Sequence, residues 1–206
     1  LRGTSVYFPD RAVPMLPLEL STGICSLNPK ADRLVLSVLL EIDHRGDVVA
    51  QEFTRGVIRS AERLTYTAVH LLLAGDAGLR ERYGSHTGRL ELMRELALLL
   101  NRKRMKRGSI DFDLPEPLIE FDEWGEMTGV TRAPRNIAHR IIEEFMLAAN
   151  EAVASHLEAA GIPLIFRIHE PPDPERVMEF EDIAVRFGYS LSLGAMPVKR
   201  FPVVDR

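Results

Sequence analysis

An α/β fold, with a mixed β-sheet and helices packed against it, is predicted by three features of this 206-residue sequence. LVLSVLLEI at 34–42 and the loosely alternating segment 48–58 are joined by DHRGD, which reads as a hairpin. Segments 65–75, 85–107 and 134–160 carry apolar residues at helical spacing, each with start or stop residues at its ends. Between the second and third lies SIDFDLPEPLIEFDEWGEMTG, whose apolar positions alternate and predict two short strands.

The elements follow in order. Residues 1–30 hold prolines at 9, 14, 17 and 29, which deny the backbone donors and helical neighbours, so an irregular anchored loop is expected, with one helical turn near Glu19. After the hairpin, Thr65 can cap the first helix and Gly75 stop it. The second helix ends in NRKRMKRG, where cations face the negative helix terminus and Gly108 takes a left-handed exit. Pro134 opens the strongest helix, which stops at Gly161-Ile162-Pro163. LIFRIHE then reads as a short strand, and PPDPERVMEFEDIAVRFG as a proline-started helix ending at Gly188. No internal repeat or low-complexity linker divides the chain, and one compact unit is expected.

Composition narrows the function without fixing it. Hydrophobic content of 46% is enough for a core, and no apolar run reaches bilayer-spanning length. The first residues lack the order of a secretory signal, so a cytoplasmic protein with no membrane partner is predicted. A lone Cys25 excludes an intramolecular disulfide and is expected to be a small buried residue. Net charge of -4 argues against gripping nucleic acid by bulk charge; such binding needs a local patch or groove. The chain starts at Leu1 within a proline-punctuated loop, and it reads as cut from something longer.

Several residues are candidates for chemistry. At about 100° per residue, Ile137, Ile141, Phe145, Ala148 and Ala152 share one stripe of the long helix. Glu144 falls about 20° from Ile137, at the core edge, and Glu143 on the polar side. A carboxylate at that edge must be paired, by a structural contact to an arginine, or must serve a ligand. On a strand, Asp111 and Asp113 share one face with Phe112 opposite. Either the acids meet a divalent cation and the ring enters the core, or the ring is functional and the acids are solvated. Five cations between Arg102 and Arg107 are suited to phosphate, although helix-end complementarity already accounts for them. The six histidines have no metal spacing, and neither a phosphate-binding glycine loop nor a nucleophile elbow is present.

Four segments carry a resemblance: TSVYFPDRAVPMLPLELSTGICSLNP, GSIDFD, HRIIEEFMLAAN and FRIHEPP. In this order and at these separations they resemble the RNB catalytic domain of the ribonuclease II and ribonuclease R family, processive 3'-to-5' exoribonucleases that release nucleoside monophosphates from single-stranded RNA. The resemblance spans essentially the whole chain. It implies that Tyr7 and Phe112 are the aromatic clamp on the last bases, that Glu144 lies near the terminal nucleotide, and that Arg167 faces the RNA channel. It implies Mg2+ in the intact enzyme and single-stranded RNA as partner, with no obligate protein partner. The family's metal-binding aspartate cluster precedes this loop and its arginine-rich catalytic segment follows this stretch, so residues 1–206 are expected to be the central portion of an RNB domain. No complete catalytic set and no metal ligands are then expected within it, and the isolated piece is expected to be inactive. Two other readings are a non-catalytic RNA-binding or interaction module and a metal-dependent hydrolase using Asp111 and Asp113.

Overall fold

The computed structural model describes residues 3–110, 117–133, 135–166 and 170–190. The α/β expectation holds. Among the described residues the strands form three separate antiparallel ribbons, and the helices supply the core.

The first ribbon is minimal, pairing β1 (Val6–Tyr7) with β2 (Ala12–Val13) around Pro9. A π-helical turn follows at Glu19–Ile24, where the sequence places one helical turn. Cys25, at the end of that turn, is exposed, contrary to the expected burial: it sits in a surface loop outside the packed layer. The long ribbon joins β3 (Asp32–Ile42) to β4 (Val48–Arg59). Its turn is set by Asp43, whose Oδ1 accepts from the N–H groups of Arg45 (2.8 Å) and Asp47 (2.9 Å), while Gly46 takes φ +81°. The open end is closed by the Asp32 and Arg59 pair, with Nε to Oδ1 at 2.6 Å and Nη2 to Oδ2 at 2.9 Å. The third ribbon, β5 (Pro117–Phe121) and β6 (Met127–Arg132), repeats the turn chemistry with Asp122 accepting from Trp124 and Glu126, and Gly125 at φ +82°.

Helix α1 (Tyr66–Ala74) starts where Thr65 accepts from the Ala68 N–H and stops at Gly75, φ +102°, as expected. Helix α2 (Ala77–Lys106) begins earlier than the expected Ser85, because the Asp76 side chain caps it through the Leu79 N–H. Gly78, Gly84 and Gly88 mask its first half in the sequence, and the backbone leaves helical geometry at Tyr83, close to the boundary the pattern predicts. Helix α3 (Ile137–Ala159) begins after the expected Pro134, since Asn136 caps the Ala138 N–H and the His139 ring reaches back to the Asn136 N–H. Helix α4 (Pro174–Arg186) has the predicted proline start and left-handed exit at Gly188. The strand expected at LIFRIHE is not formed in its described part: Leu164–Phe166 pair with no strand, and Ile165 is 98% exposed. Among the described residues no helix is long and apolar enough to cross a membrane.

Helices α1, α2 and α3 bury Leu72, Leu73, Leu90, Ala97 and Ile141 against one another, with Tyr83, Met93, Ile137 and Phe145 at the margin. Leu72 and Ile141 are almost completely buried, each contributing about 1.5 to 3 kcal/mol by removal from water. The long ribbon docks onto this layer by its turn and by one aromatic. Lys103 of α2 donates to the Gly46 carbonyl (2.7 Å) and the Asp47 carboxylate (2.6 Å), and Phe53 stacks on His156 at 4.2 Å. The N-terminal loop is tied in turn to the ribbon, where Arg33 Nε donates to the Ser26 carbonyl (2.8 Å) and the Lys30 N–H to that of Ser60 (2.7 Å). Leu34, Leu36 and Val57 remain largely exposed.

Both Asp-x-x-Gly turns require a left-handed residue, and a Cβ there costs about 1 to 2 kcal/mol. Gly46→Ala and Gly125→Ala are each expected to lose that amount in denaturant titration. The added methyl stands 3.4 Å from Leu99 and Lys103 at Gly46 and in open space at Gly125, so backbone strain sets both losses. Wild-type stability in either variant would show that the positive φ is not required.

Candidate functional site

The N-terminal ribbon presents a ring to solvent on a fixed base. Tyr7 pairs with Ala12 across the ribbon, the Phe8 N–H donates to the Arg11 carbonyl at 2.7 Å, and Ser5 Oγ accepts from the Met15 N–H at 3.0 Å. Arg11 lies over the Phe8 ring and pairs with Asp10. The Tyr7 side of this short turn is therefore held by backbone bonds, while the residue is 78% exposed. Tyr7 is not part of an apolar cluster; it is available for stacking.

Glu144 has the opposite environment. It is 2% exposed, at the core edge of α3 as its wheel position predicts, and it is the polar residue buried among the described residues. Arg104 of α2 meets it from across the helix interface: Nη2 donates to Oε1 at 2.7 Å and Nε lies 3.2 Å from each oxygen. Asn101 Nδ2 adds a third donor at 2.8 Å. Burial pushes the Glu144 carboxyl up, but the hydrogen bonds from Arg104 and Asn101, with the charges of Arg104 and Arg140, outweigh it and hold the group below its ordinary value. The arginine contact that the sequence left open is thus present. Arg104 also donates from Nη1 to Ser109 Oγ at 2.6 Å, just beyond the helix end.

The basic run is largely occupied by partners. Besides Lys103 and Arg104, Arg107 makes a two-point contact to Glu151, at 2.6 and 3.3 Å, which raises the guanidinium further above its usual value. These groups line one side of an open cavity of about 460 Å³. Its other walls are the first residues of β4, Val48 to Gln51, and the small-residue face of α3 at Ala148 and Ala152.

A second cluster lies at the start of α3 and was not foreseen. Tyr66 stacks on His139, with centroids 4.0 Å apart, and Arg135 donates to Glu143 at 2.8 Å. The sequence marks Glu143 as outward-facing, but Tyr66 and His139 lie far apart in the chain and carry no joint signal. Phe112 and Arg167, like Asp111 and Asp113, lie outside the described residues. Among the described residues no three His, Cys, Asp or Glu side chains gather as a metal would require, and Glu144 is already engaged by a cation. The described residues therefore do not fit a Mg2+ site.

The RNB domain family profile matches residues 1–200. Ribonuclease R of Aquifex aeolicus (strain VF5) is 46% identical over 190 residues, covering 92% of this chain and 27% of that protein. Ribonuclease R of Escherichia coli (strain K12) is 39% identical over 199 residues, covering 97% of this chain and 24% of that protein. The chain thus spans about a quarter of the length of the curated relatives it matches. Mycoplasma genitalium RNase R in complex with ribose methylated single-stranded RNA superposes with a TM-score of 0.80 at 28% identity, over 90% of this chain and 29% of that one. Yeast Ssd1, a pseudonuclease, shares the fold at a TM-score of 0.65 and 18% identity, over 90% of this chain and 22% of that one.

The buried pair gives two expectations. Arg104→Met leaves a buried carboxylate without its cation and is expected to cost about 3 to 5 kcal/mol in denaturant titration; a loss under 1 kcal/mol would show the pair to be solvated. Because the folded-state pKa of Glu144 is depressed, its contribution is full above the unfolded-state value and is lost as pH falls through the folded one. The stability gap between wild type and Glu144→Gln is expected to be widest at neutral pH and to close in acid. A gap independent of pH would contradict the depressed pKa.

Proposed function

This chain belongs to the RNB domain family, and from that membership we propose that it forms the RNA-facing central portion of a processive 3'-to-5' exoribonuclease, one that hydrolyses single-stranded RNA to nucleoside 5'-monophosphates. The observation that carries the proposal is the Tyr7 ring, 78% exposed on a backbone-fixed ribbon within the family's own loop sequence. A base of any identity has a π-face, so a fixed exposed ring binds a single strand without reading its sequence, contributing about 1 to 3 kcal/mol per base. That mode needs no bulk positive charge, in keeping with a net charge of -4. The Mycoplasma genitalium RNase R, whose solved complex holds single-stranded RNA, supports the substrate class.

In this reading Tyr7 and Phe112 hold the terminal bases, Arg167 faces the RNA channel, and Glu144 lies near the terminal nucleotide with its carboxylate closed in by Arg104 and Asn101. The metal of the intact enzyme is Mg2+, with ligands outside the described residues, and the protein works in the cytoplasm. Residues 1–206 alone lack a complete catalytic set in this reading, so activity is measured in a full-length polypeptide carrying them.

With 5'-labelled single-stranded RNA, that polypeptide is expected to release mononucleotides and leave a short end product. Tyr7→Ala and Phe112→Ala are each expected to lengthen that product or slow removal of the last nucleotides about tenfold, the factor equivalent to one lost stacking contact. Wild-type lengths and rates in both variants would remove the clamp, and absence of any hydrolysis would favour a non-catalytic RNA-binding module.

A further inference from the structure

The end of α2 carries a side-chain tie in addition to an ordinary glycine-capped exit. Gly108 turns left-handed at φ +100°, and the next residue is fixed twice to the same arginine. The Ser109 N–H donates to the Arg104 carbonyl at 3.2 Å, and Ser109 Oγ accepts from Arg104 Nη1 at 2.6 Å. That guanidinium is itself fixed, because Nε and Nη2 are spent on Glu144, and the pair is only 17% and 2% exposed. The Gly108 and Ser109 N–H groups already close the exit on the Met105 and Arg104 carbonyls, as at the ends of α1 and α4, so the charge-assisted bond at 2.6 Å from a donor locked by a buried carboxylate is additional to the cap.

We propose that Glu144, Arg104 and Ser109 form a positioning relay: the buried carboxylate of α3 orients the guanidinium, which fixes where and in which direction the chain leaves α2. The proposal rests on the clamp reading above, for the chain that leaves at Ser109 reaches Phe112 three residues later. The function of Glu144 then passes through Arg104 to the loop root, which accounts for a residue that the family resemblance puts near the nucleotide being sealed from solvent. The fork geometry is essential, because one lysine ammonium cannot serve a carboxylate and a hydroxyl on opposite sides in a fixed plane.

The test uses Ser109→Ala, Ser109→Thr and Phe112→Ala in the full-length polypeptide, with two readouts. Ser109→Ala removes one charge-assisted hydrogen bond and is expected to raise amide exchange at Gly108 to Ile110 about tenfold or more, with exchange at Ala97 and Ile141 unchanged. It is also expected to lengthen the RNA end product as Phe112→Ala does, and Ser109→Thr is expected to restore both. Unchanged exchange in Ser109→Ala overturns the relay. So does raised exchange with wild-type end products when Phe112→Ala lengthens them, since the anchor is then structural alone. If Phe112→Ala itself changes nothing, the clamp reading fails, and the exchange readout still decides separately whether the anchor exists.

Discussion

The contact between Arg104 and Glu144 is the constraint on which the rest of this structure depends. Helices α2 and α3 meet over a core of modest size, and at their interface stands an ionised pair instead of another leucine. Removing two such charges from water is costly, and their attraction offsets the cost only when geometry and additional donors are favourable. Here a two-point guanidinium contact and the Asn101 amide provide them. Well-packed apolar residues would serve stability as well or better. What the pair adds is direction: a carboxylate accepts the guanidinium in one plane, and that plane fixes the remaining donor on Ser109.

The long ribbon depends on the same part of the molecule. Lys103, one residue before Arg104, reaches the turn at Gly46 and Asp47, so consecutive residues of α2 serve opposite neighbours. The ribbon then carries the N-terminal loop through Arg33 and Lys30, and the loop carries Tyr7. Directional bonds therefore link the helical layer to the long ribbon, and the ribbon to residues 26–30 of the loop. Between ribbon and helices the Phe53 ring on His156 adds an aromatic contact to these bonds.

Legibility in the sequence followed the range of the forces. Thr65, Gly75, Gly108 and Gly188 act within a few residues of themselves, and each behaves as the sequence predicts. Start positions at Asp76 and Asn136 were missed because glycines diluted the periodicity in one case and a proline offered a competing start in the other. The wheel placed Glu144 correctly at the core edge, since helical geometry is local. It could not name Arg104, because the partner lies 40 residues away and five cations at the helix end are equivalent until the helices pack. The stack of Tyr66 on His139 was invisible for the same reason. The described part of LIFRIHE, Leu164–Phe166, has strand composition, but an apolar run needs a neighbouring edge to pair with, and composition does not supply one.

The charge distribution bears on how such a surface would meet RNA under the proposed function. Five cations in six positions at the end of α2 suggest a phosphate site, yet Lys103, Arg104 and Arg107 are committed to Asp47, Glu144 and Glu151. Their fields are largely cancelled at contact distance, and exposed pairs of this kind are further screened by salt. Those three cations, so engaged, gain little from phosphate neutralisation. Ring stacking remains, and it is indifferent to both base identity and net charge. The exoribonuclease proposed above would have to release and regrip every base in turn, and that indifference would allow each step to resemble the last.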